Sequence, residues 1–227
     1  MDTTKERLEA LWGELGDSVG LVAVSKFHPV DKLREAYDAG QRIFGESRVQ
    51  ELEEKVPLLP KDIRWHFIGT LQRNKVKYIV PYIDTIHSID RSEILQEVES
   101  QAEKKGGRRA HRIKLLLQVH LSDEETKHGF SEDELLDLLG SLDPSRLKST
   151  EIVGLMGMAA LTDDEALVDR QFARLKSLFN RVKDDFFPTD DRFKELSMGM
   201  SGDYKIALRH GATLVRIGTR IFGPREY

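Results

Sequence analysis

Short apolar runs alternate with amphipathic runs along almost the whole chain, and this alternation most narrows the folds open to it. Strand-like segments fall at 21–27, 42–45, 64–68, 83–89, 113–121, 152–156, 194–197 and 213–217. A helix-like segment follows each one except the last, which leads into a short turn. Strict β–α alternation builds a parallel sheet, because successive parallel strands need a crossover between them. Eight such units in 227 residues fit a single (β/α)8 barrel, for which about 250 residues is typical and about 200 is enough. An open doubly wound sheet is the alternative. No linker, low-complexity tract or exact repeat interrupts the pattern, so residues 1–227 read as one domain.

The helices carry their own punctuation. Leu8, Leu11 and Leu15 give helical spacing over 4–15. Gly40 stops a helix over 30–39, Pro57 one over 47–56, and Pro81 one over 71–80. Asp90 with Glu93 forms a capping-box pair opening a helix through Lys105, closed by Gly106-Gly107. Ser131 with Glu134 forms another ahead of Leu135 and Leu139. Thr162 with Glu165 reads as a third, opening the clearest amphipathic helix, whose stripe is Val168, Phe172, Leu175, Phe179 and Val182. A last helix over 204–209 ends at Gly211.

Composition excludes several classes. The net charge of −4 gives no general reason for nucleic acid or an anionic membrane as partner. With no cysteine there are neither disulfides nor thiolate metal sites. The start of the chain has no apolar signal core, and no apolar run reaches spanning length. The expectation is a cytoplasmic protein. Residues 104–112 are basic but precede strand five, at the barrel end associated with stability, and read as a solvated loop. Lys127 and Lys205 fall near loops of the opposite face.

In a barrel of this kind chemistry sits at the carboxyl ends of the strands. Lys26 ends the first strand, Leu21-Val22-Ala23-Val24-Ser25-Lys26-Phe27. An amine held between a dry strand and water is a good imine former, since desolvation increases its neutral fraction. Two glycine-containing turns follow strands seven and eight: Ser197-Met198-Gly199-Met200-Ser201-Gly202-Asp203 and Arg216-Ile217-Gly218-Thr219. Glycine lets backbone N–H groups approach an anion, and the loops after strands seven and eight are the usual phosphate cradle of this fold. A lysine opposite such a cradle suits a phosphorylated carbonyl compound; pyridoxal 5′-phosphate fits, and so does a phosphosugar. His66, in strand three, is a candidate for the face of such a ligand.

At these residues the sequence resembles the pyridoxal-phosphate homeostasis protein family. The resemblance rests on Ala23-Val24-Ser25-Lys26, the stretch 44–51 (FGESRVQE), the stretch 65–75 (WHFIGTLQRNK), 154–158 (GLMGM), 196–201 (LSMGMS) and 215–223 (VRIGTRIFG). It implies a (β/α)8 barrel binding pyridoxal phosphate as a Schiff base on Lys26. It also implies phosphate contacts from Ser201, Gly218 and Thr219, with Arg216 facing the pyridine nitrogen. Ser47 and Thr70 depart from the usual Asn and Pro of the family. The first removes a side-chain amide near the cofactor, and the second alters a turn.

The same residues bear on turnover. Arginine at the pyridine nitrogen leaves the ring unprotonated and a weak electron sink. Racemisation also needs acid/base groups on both faces of the imine. Related barrel enzymes take a tyrosine from a second domain or subunit, and this chain ends four residues after Gly223. The expectation is therefore a monomeric, non-enzymatic protein that buffers pyridoxal phosphate or delivers it to apo-enzymes. A small amino-acid racemase is the alternative, and a Schiff-base aldolase acting on phosphosugars a third class.

Overall fold

A computed structural model describes residues 3–105, 111–121 and 128–224. Lys127, Tyr227, the Gly106-Gly107 stop and the middle of the basic 104–112 run lie outside these residues. The chain runs α1 (Thr4–Leu15), β1 (Gly20–Val24), α2 (Val30–Asp38), β2 (Ile43–Glu46), α3 (Val49–Lys55), β3 (Arg64–Phe67), α4 (Val76–Ile79), β4 (Ile83–Ile89), α5 (Ser92–Lys105), β5 (Ile113–Val119), α6 (Glu132–Ser141), β6 (Thr150–Gly157), α7 (Glu165–Phe186), β7 (Glu195–Ser197), α8 (Tyr204–Arg209), β8 (Leu214–Ile217) and α9 (Thr219–Phe222). The eight strands form a closed barrel in sequence order. β1 closes it by pairing parallel with β8, from Gly20 opposite Leu214 to Ala23 opposite Ile217.

Two apolar layers follow from the strand alternation. Residues facing outward meet the helices in one large core, which includes Phe44, Phe67, Ile86, Leu115 and Leu155. Those facing inward form a separate buried cluster of Val22, Leu116, Val153, Met156 and Leu214, which fills the barrel. The α7 stripe Val168, Phe172, Leu175, Phe179 and Val182 is buried against the outer layer, as its spacing requires. Thr3 and Glu6 form a complete capping box on α1, and Ser131 and Glu134 do so on α6.

Several helices differ from their sequence reading: α5 begins at Ser92, with the Asp90 carboxylate bonded to Arg91, and α7 and the stretch over 71–80 differ more. The N-cap of α7 is Asp164, whose carboxylate accepts the Leu167 N–H at 3.0 Å. Thr162 instead accepts the Asp164 N–H at 3.1 Å, so it shapes the approach and not the cap. Over 71–80 only Val76–Ile79 is α-helical, preceded by a 3-10 turn at Arg73–Lys75. A tandem of β-branched residues and Asn gives this stretch little helical propensity of its own.

Candidate functional site

Lys26 sits just past the end of β1, half-buried. The sheet ladder reaches only as far as Ser25, whose N–H donates to the Gly45 carbonyl at 3.0 Å. Phe27 then turns the chain with a φ of 67°, a left-handed value costly for a side chain of its size. Glu51 holds the turn by accepting the Phe27 N–H at 2.8 Å. The guanidinium of Arg48 lies 4.5 Å from the centre of the Phe27 ring.

Beneath this turn is a buried ion-pair cluster. The Lys55 ammonium donates to the Ser25 carbonyl at 2.9 Å, to Glu46 Oε1 at 2.8 Å and to Glu51 Oε2 at 2.9 Å. Ser25 Oγ donates to the same Glu46 oxygen at 2.6 Å. Burial pushes the Glu46 carboxyl above its ordinary range, against the pull of Lys55 and Ser25. Burial acts the same way on Glu51, but there the bonds from Lys55 and the Phe27 N–H win and hold it below the usual value. Sequence reasoning placed Glu46 at the end of strand two but missed Lys55 and the pairing of the two. The only signal was the i,i+4 spacing of Glu51 and Lys55 on α3, which is normally a surface pair.

Arg216 lies in β8 opposite Val22 and is 4 % exposed. Its Nη1 donates to the Ser197 carbonyl at 3.0 Å and to Ser197 Oγ at 2.6 Å, and its Nη2 donates to the Gly157 carbonyl at 3.1 Å. Among the described residues no carboxylate forms an ion pair with it. Burial brings its pKa down to about 10, against the more distant pull of Asp203, so it stays charged at neutral pH. A buried cation without a paired anion is expensive, and its remaining donor capacity favours a ligand that accepts hydrogen bonds.

The histidines continue inward from Ser197. His87 Nδ1 is 2.9 Å from Ser197 Oγ, and His87 Nε2 is 2.8 Å from His66 Nδ1. His66 Nε2 faces Asp84 Oδ2 at 3.7 Å. Burial lowers the pKa of His66 to about 3 despite Asp84, and holds His87 well below the ordinary histidine value with help from the neighbouring His66 and Arg216. Both rings are neutral at pH 7.

The turns after β7 and β8 complete the same end of the barrel. Gly199 has a φ of 91°, and a Cβ there would stand 2.7 Å from the Ala207 Cβ. Its carbonyl accepts the Arg216 N–H at 2.9 Å, which ties the two turns together. Met198 buries its side chain in the outer core and gives its N–H to the Leu214 carbonyl at 3.1 Å. Asp203 accepts the Met200 N–H at 2.5 Å. Among the described residues none accepts from the N–H of Ser201, Gly202 or Thr219. A Cβ at Gly218 would lie 3.0 Å from the Val24 carbonyl, so only glycine lets β8 lie this close to the strand of Lys26.

The sequence expectation placed Lys26 opposite the anion-binding turns. Barrel closure corrects this, because β1 is the hydrogen-bonded neighbour of β8 and the Gly218 turn stands beside the Lys26 turn. The structure thus gathers Lys26, Arg216, Gly218, Thr219, Ser197, Met198, Gly199 and Ser201 at the carboxyl ends of three consecutive strands. His66 belongs to β3 and reaches the group only through His87 and Ser197.

A family model described as "Alanine racemase, N-terminal domain" matches residues 2–226. The chain is 39 % identical over 216 residues to the pyridoxal phosphate homeostasis protein of Pasteurella multocida, covering 92 % of this chain and 88 % of that one. It is 38 % identical over 216 residues to the protein of that name from Homo sapiens, covering 91 % and 77 %. PipY of Synechococcus elongatus, solved with pyridoxal phosphate bound, superposes with a TM-score of 0.86 at 38 % identity, over 97 % of this chain and 100 % of that one. The same protein solved without it gives 0.89 at 39 %, with the same coverage. Alanine racemase from Bartonella henselae shares the fold alone, at 15 % identity and a TM-score of 0.73 over 98 % of this chain and 58 % of that one.

Proposed function

This chain belongs to the pyridoxal phosphate homeostasis protein family, and on that premise we propose that it binds pyridoxal 5′-phosphate and buffers or delivers it. The observation that carries the reading is the buried guanidinium of Arg216, charged and without a paired carboxylate among the described residues, one strand from Lys26. When bound, the cofactor supplies an aldehyde that an amine can capture and a ring that withdraws electrons. In this reading Lys26 provides the amine and Arg216 donates to the pyridine nitrogen. Ser201, Gly218 and Thr219 hold the phosphate with N–H and hydroxyl donors. Ser197, Met198 and Gly199 form the β7 edge of the site, and His66 lies in its floor.

The reading is of a carrier, not a catalyst. An arginine donates a hydrogen bond to the pyridine nitrogen without giving up its proton, so the ring stays a weak sink. Two tyrosine hydroxyls are engaged away from a second face, Tyr37 with Asp62 and Tyr204 with Glu14 and Arg220. Residues 1–227 act as one cofactor-binding domain, monomeric and cytoplasmic, with pyridoxal phosphate and apo-enzymes as partners and without nucleic acid or membrane. Among the described residues no helix is long and apolar enough to cross a membrane.

Borohydride reduction of the loaded protein followed by peptide mapping tests the site. The adduct is expected on Lys26, and adduct only at other lysines refutes it. Loaded protein mixed with an apo-enzyme should restore its activity faster than the same amount of free cofactor. Equal rates count against delivery. Exchange of the α-hydrogen of an added amino acid in heavy water would replace the carrier reading with the racemase one.

A further inference from the structure

The interior of the barrel holds a polar chain that joins three residues of the carrier reading, Arg216, Ser197 and His66, through His87, to which that reading gives no role. It starts at Arg216 and crosses β7, β4 and β3 to Asp84, which sits at the start of β4. The links are Arg216 Nη1 to Ser197 Oγ at 2.6 Å, Ser197 Oγ to His87 Nδ1 at 2.9 Å, His87 Nε2 to His66 Nδ1 at 2.8 Å, and His66 Nε2 towards Asp84 Oδ2 at 3.7 Å. Asp84 also accepts the Thr85 hydroxyl at 2.7 Å and lies 3.9 Å from the Lys114 ammonium.

Partner chemistry fixes the direction of every proton. A guanidinium only donates, so Ser197 Oγ accepts from Arg216; with a second lone pair and one hydrogen it suits either tautomer of His87, and the Asp84 carboxylate at the far end of the chain decides that it donates. His87 Nδ1 is then an acceptor, and its Nε2 carries the proton. That proton goes to His66 Nδ1, leaving the His66 proton on Nε2, facing the Asp84 carboxylate. The opposite tautomer of His66 would set a lone pair against that carboxylate. Three hydrogen bonds therefore point one way, with the His66 N–H turned towards Asp84 at 3.7 Å beyond them, and such aligned bonds reinforce one another.

We infer that Ser197, His87 and His66 are positioning residues for Arg216, aiming its donor-only guanidinium at the pyridine nitrogen so that this nitrogen stays hydrogen-bonded and unprotonated. The inference rests on the cofactor reading above. The Ser197 and Gly157 carbonyls also hold the guanidinium, but among the described residues only the histidine chain links it to titratable groups. His66 faces Asp84, Arg64 and Lys114, His87 faces His66 and Arg216, and Arg216 feels only Asp203 among the acids. Burial keeps both rings neutral, so the chain holds its direction through neutral pH. A histidine in place of Ser197 or a carboxylate beside Arg216 would break that direction by offering a second proton or a second anion.

The histidine tautomers are read first, by nitrogen NMR on the unloaded wild-type protein labelled at histidine. Both Nδ1 atoms should show acceptor shifts and both Nε2 atoms protonated shifts. A protonated Nδ1 on His87 overturns the chain regardless of cofactor. The protein is then loaded with pyridoxal phosphate labelled at the ring nitrogen, and its shift is followed from mildly acid to mildly alkaline pH. The wild type should keep an unprotonated nitrogen throughout. His87→Phe and Ser197→Ala should show that nitrogen taking a proton on the acid side, with cofactor affinity about tenfold weaker, the loss of one bond to a charged group. His87→Gln, which can accept from Ser197 and donate to His66, should restore the wild-type shift. If folded His87→Phe keeps the wild-type shift and affinity, the positioning role is wrong. If the wild type takes up no cofactor on Lys26, it is the carrier reading that has failed, and the tautomers still report on the chain.

Discussion

Replacing Lys55 by Met puts the structure to its hardest stability test. The ammonium is 8 % exposed, and Glu46, which it pairs with, is fully buried. Three acceptors each lose a donor at once, the Ser25 carbonyl and the carboxylates of Glu46 and Glu51, and only neutral donors remain to them. Removing one partner of a buried pair costs about 3–5 kcal/mol, because the remaining charge has no counterion. For a chain of this size that is a fall in Tm of roughly 6–20 °C, at about 2–4 °C per kcal/mol. The loss should depend on pH. Burial already raises the Glu46 pKa in the folded state, and without Lys55 it rises further. A carboxyl whose folded pKa lies above its unfolded one binds more protons when folded. Its contribution is therefore present at low pH and fades as pH rises through the folded value. Urea melts of Lys55→Met should show the deficit growing from acid towards neutral pH. Adding Glu46→Gln should recover a large part of it by removing the stranded charge. A deficit under about 1 kcal/mol, or one that Glu46→Gln worsens, would refute the buried pair as the anchor of the Lys26 turn.

Three other expectations follow from particular atoms. Gly218→Ala puts a methyl 3.0 Å from the Val24 carbonyl and 3.3 Å from the Val24 Cβ. Overpacking of this kind costs about 1–3 kcal/mol, and calorimetry should show cofactor binding weakened together with Tm. His66 and His87 are held neutral by burial, with folded pKa values below the unfolded one. The unfolded chain therefore binds more protons, and stability is lost as pH falls from the ordinary histidine range towards about 3, the His66 value. His66→Gln should flatten that acid limb in part, and an unchanged limb would exclude His66 as a source. Arg216→Lys keeps a charge but not the fork that grips Ser197 and Gly157. Cofactor affinity should fall at least tenfold while Lys26 still captures the aldehyde, and loss of the adduct itself would contradict the division of roles.

Much of the fold was legible because parallel strands in α/β proteins announce themselves twice, by apolar runs and by the helices between them. The boundaries at 4–15, 83–89 and 204–209 needed no tertiary information. The Lys26 position, the two glycine turns and Arg216 were legible as residue types at strand ends. What escaped was how these residues are held. Lys55 sits on a helix with an acidic neighbour four residues away, the pattern of a surface pair, and only the packing of α3 on β2 reveals it as buried. The histidines lacked metal-like spacing and so carried no sign of each other. The strands of His66 and His87 meet in the sheet, but His87 and Ser197 are 110 residues apart and touch only across the barrel interior. Barrel closure was equally invisible locally. It set Lys26 beside the Gly218 turn because the first and last strands are neighbours.

These two hidden supports differ in kind, and the difference bears on function. The Lys55 cluster lies outside the barrel wall and fixes backbone, holding the Ser25 carbonyl and the Phe27 N–H on either side of Lys26. The histidine chain lies inside and fixes a side chain, through Ser197 to Arg216. A site that captured an aldehyde without holding it would need only the first. One that used the ring for carbanion chemistry would set an acid where Arg216 stands, since a protonated pyridine is the stronger sink. A rigid lysine combined with a cation that does not surrender its proton is suited to keeping a reactive aldehyde covalently held while limiting its chemistry. A store must also let go, and capture by an imine is reversible by hydrolysis or by another amine. If Lys26 carries the imine as proposed, its half-buried setting leaves water a route to that bond. Burying the lysine more deeply, for example by Ser47→Leu on the neighbouring turn, should therefore slow release to an apo-enzyme more than it changes affinity. A change in affinity with the release rate untouched would mean that water access does not govern the exchange.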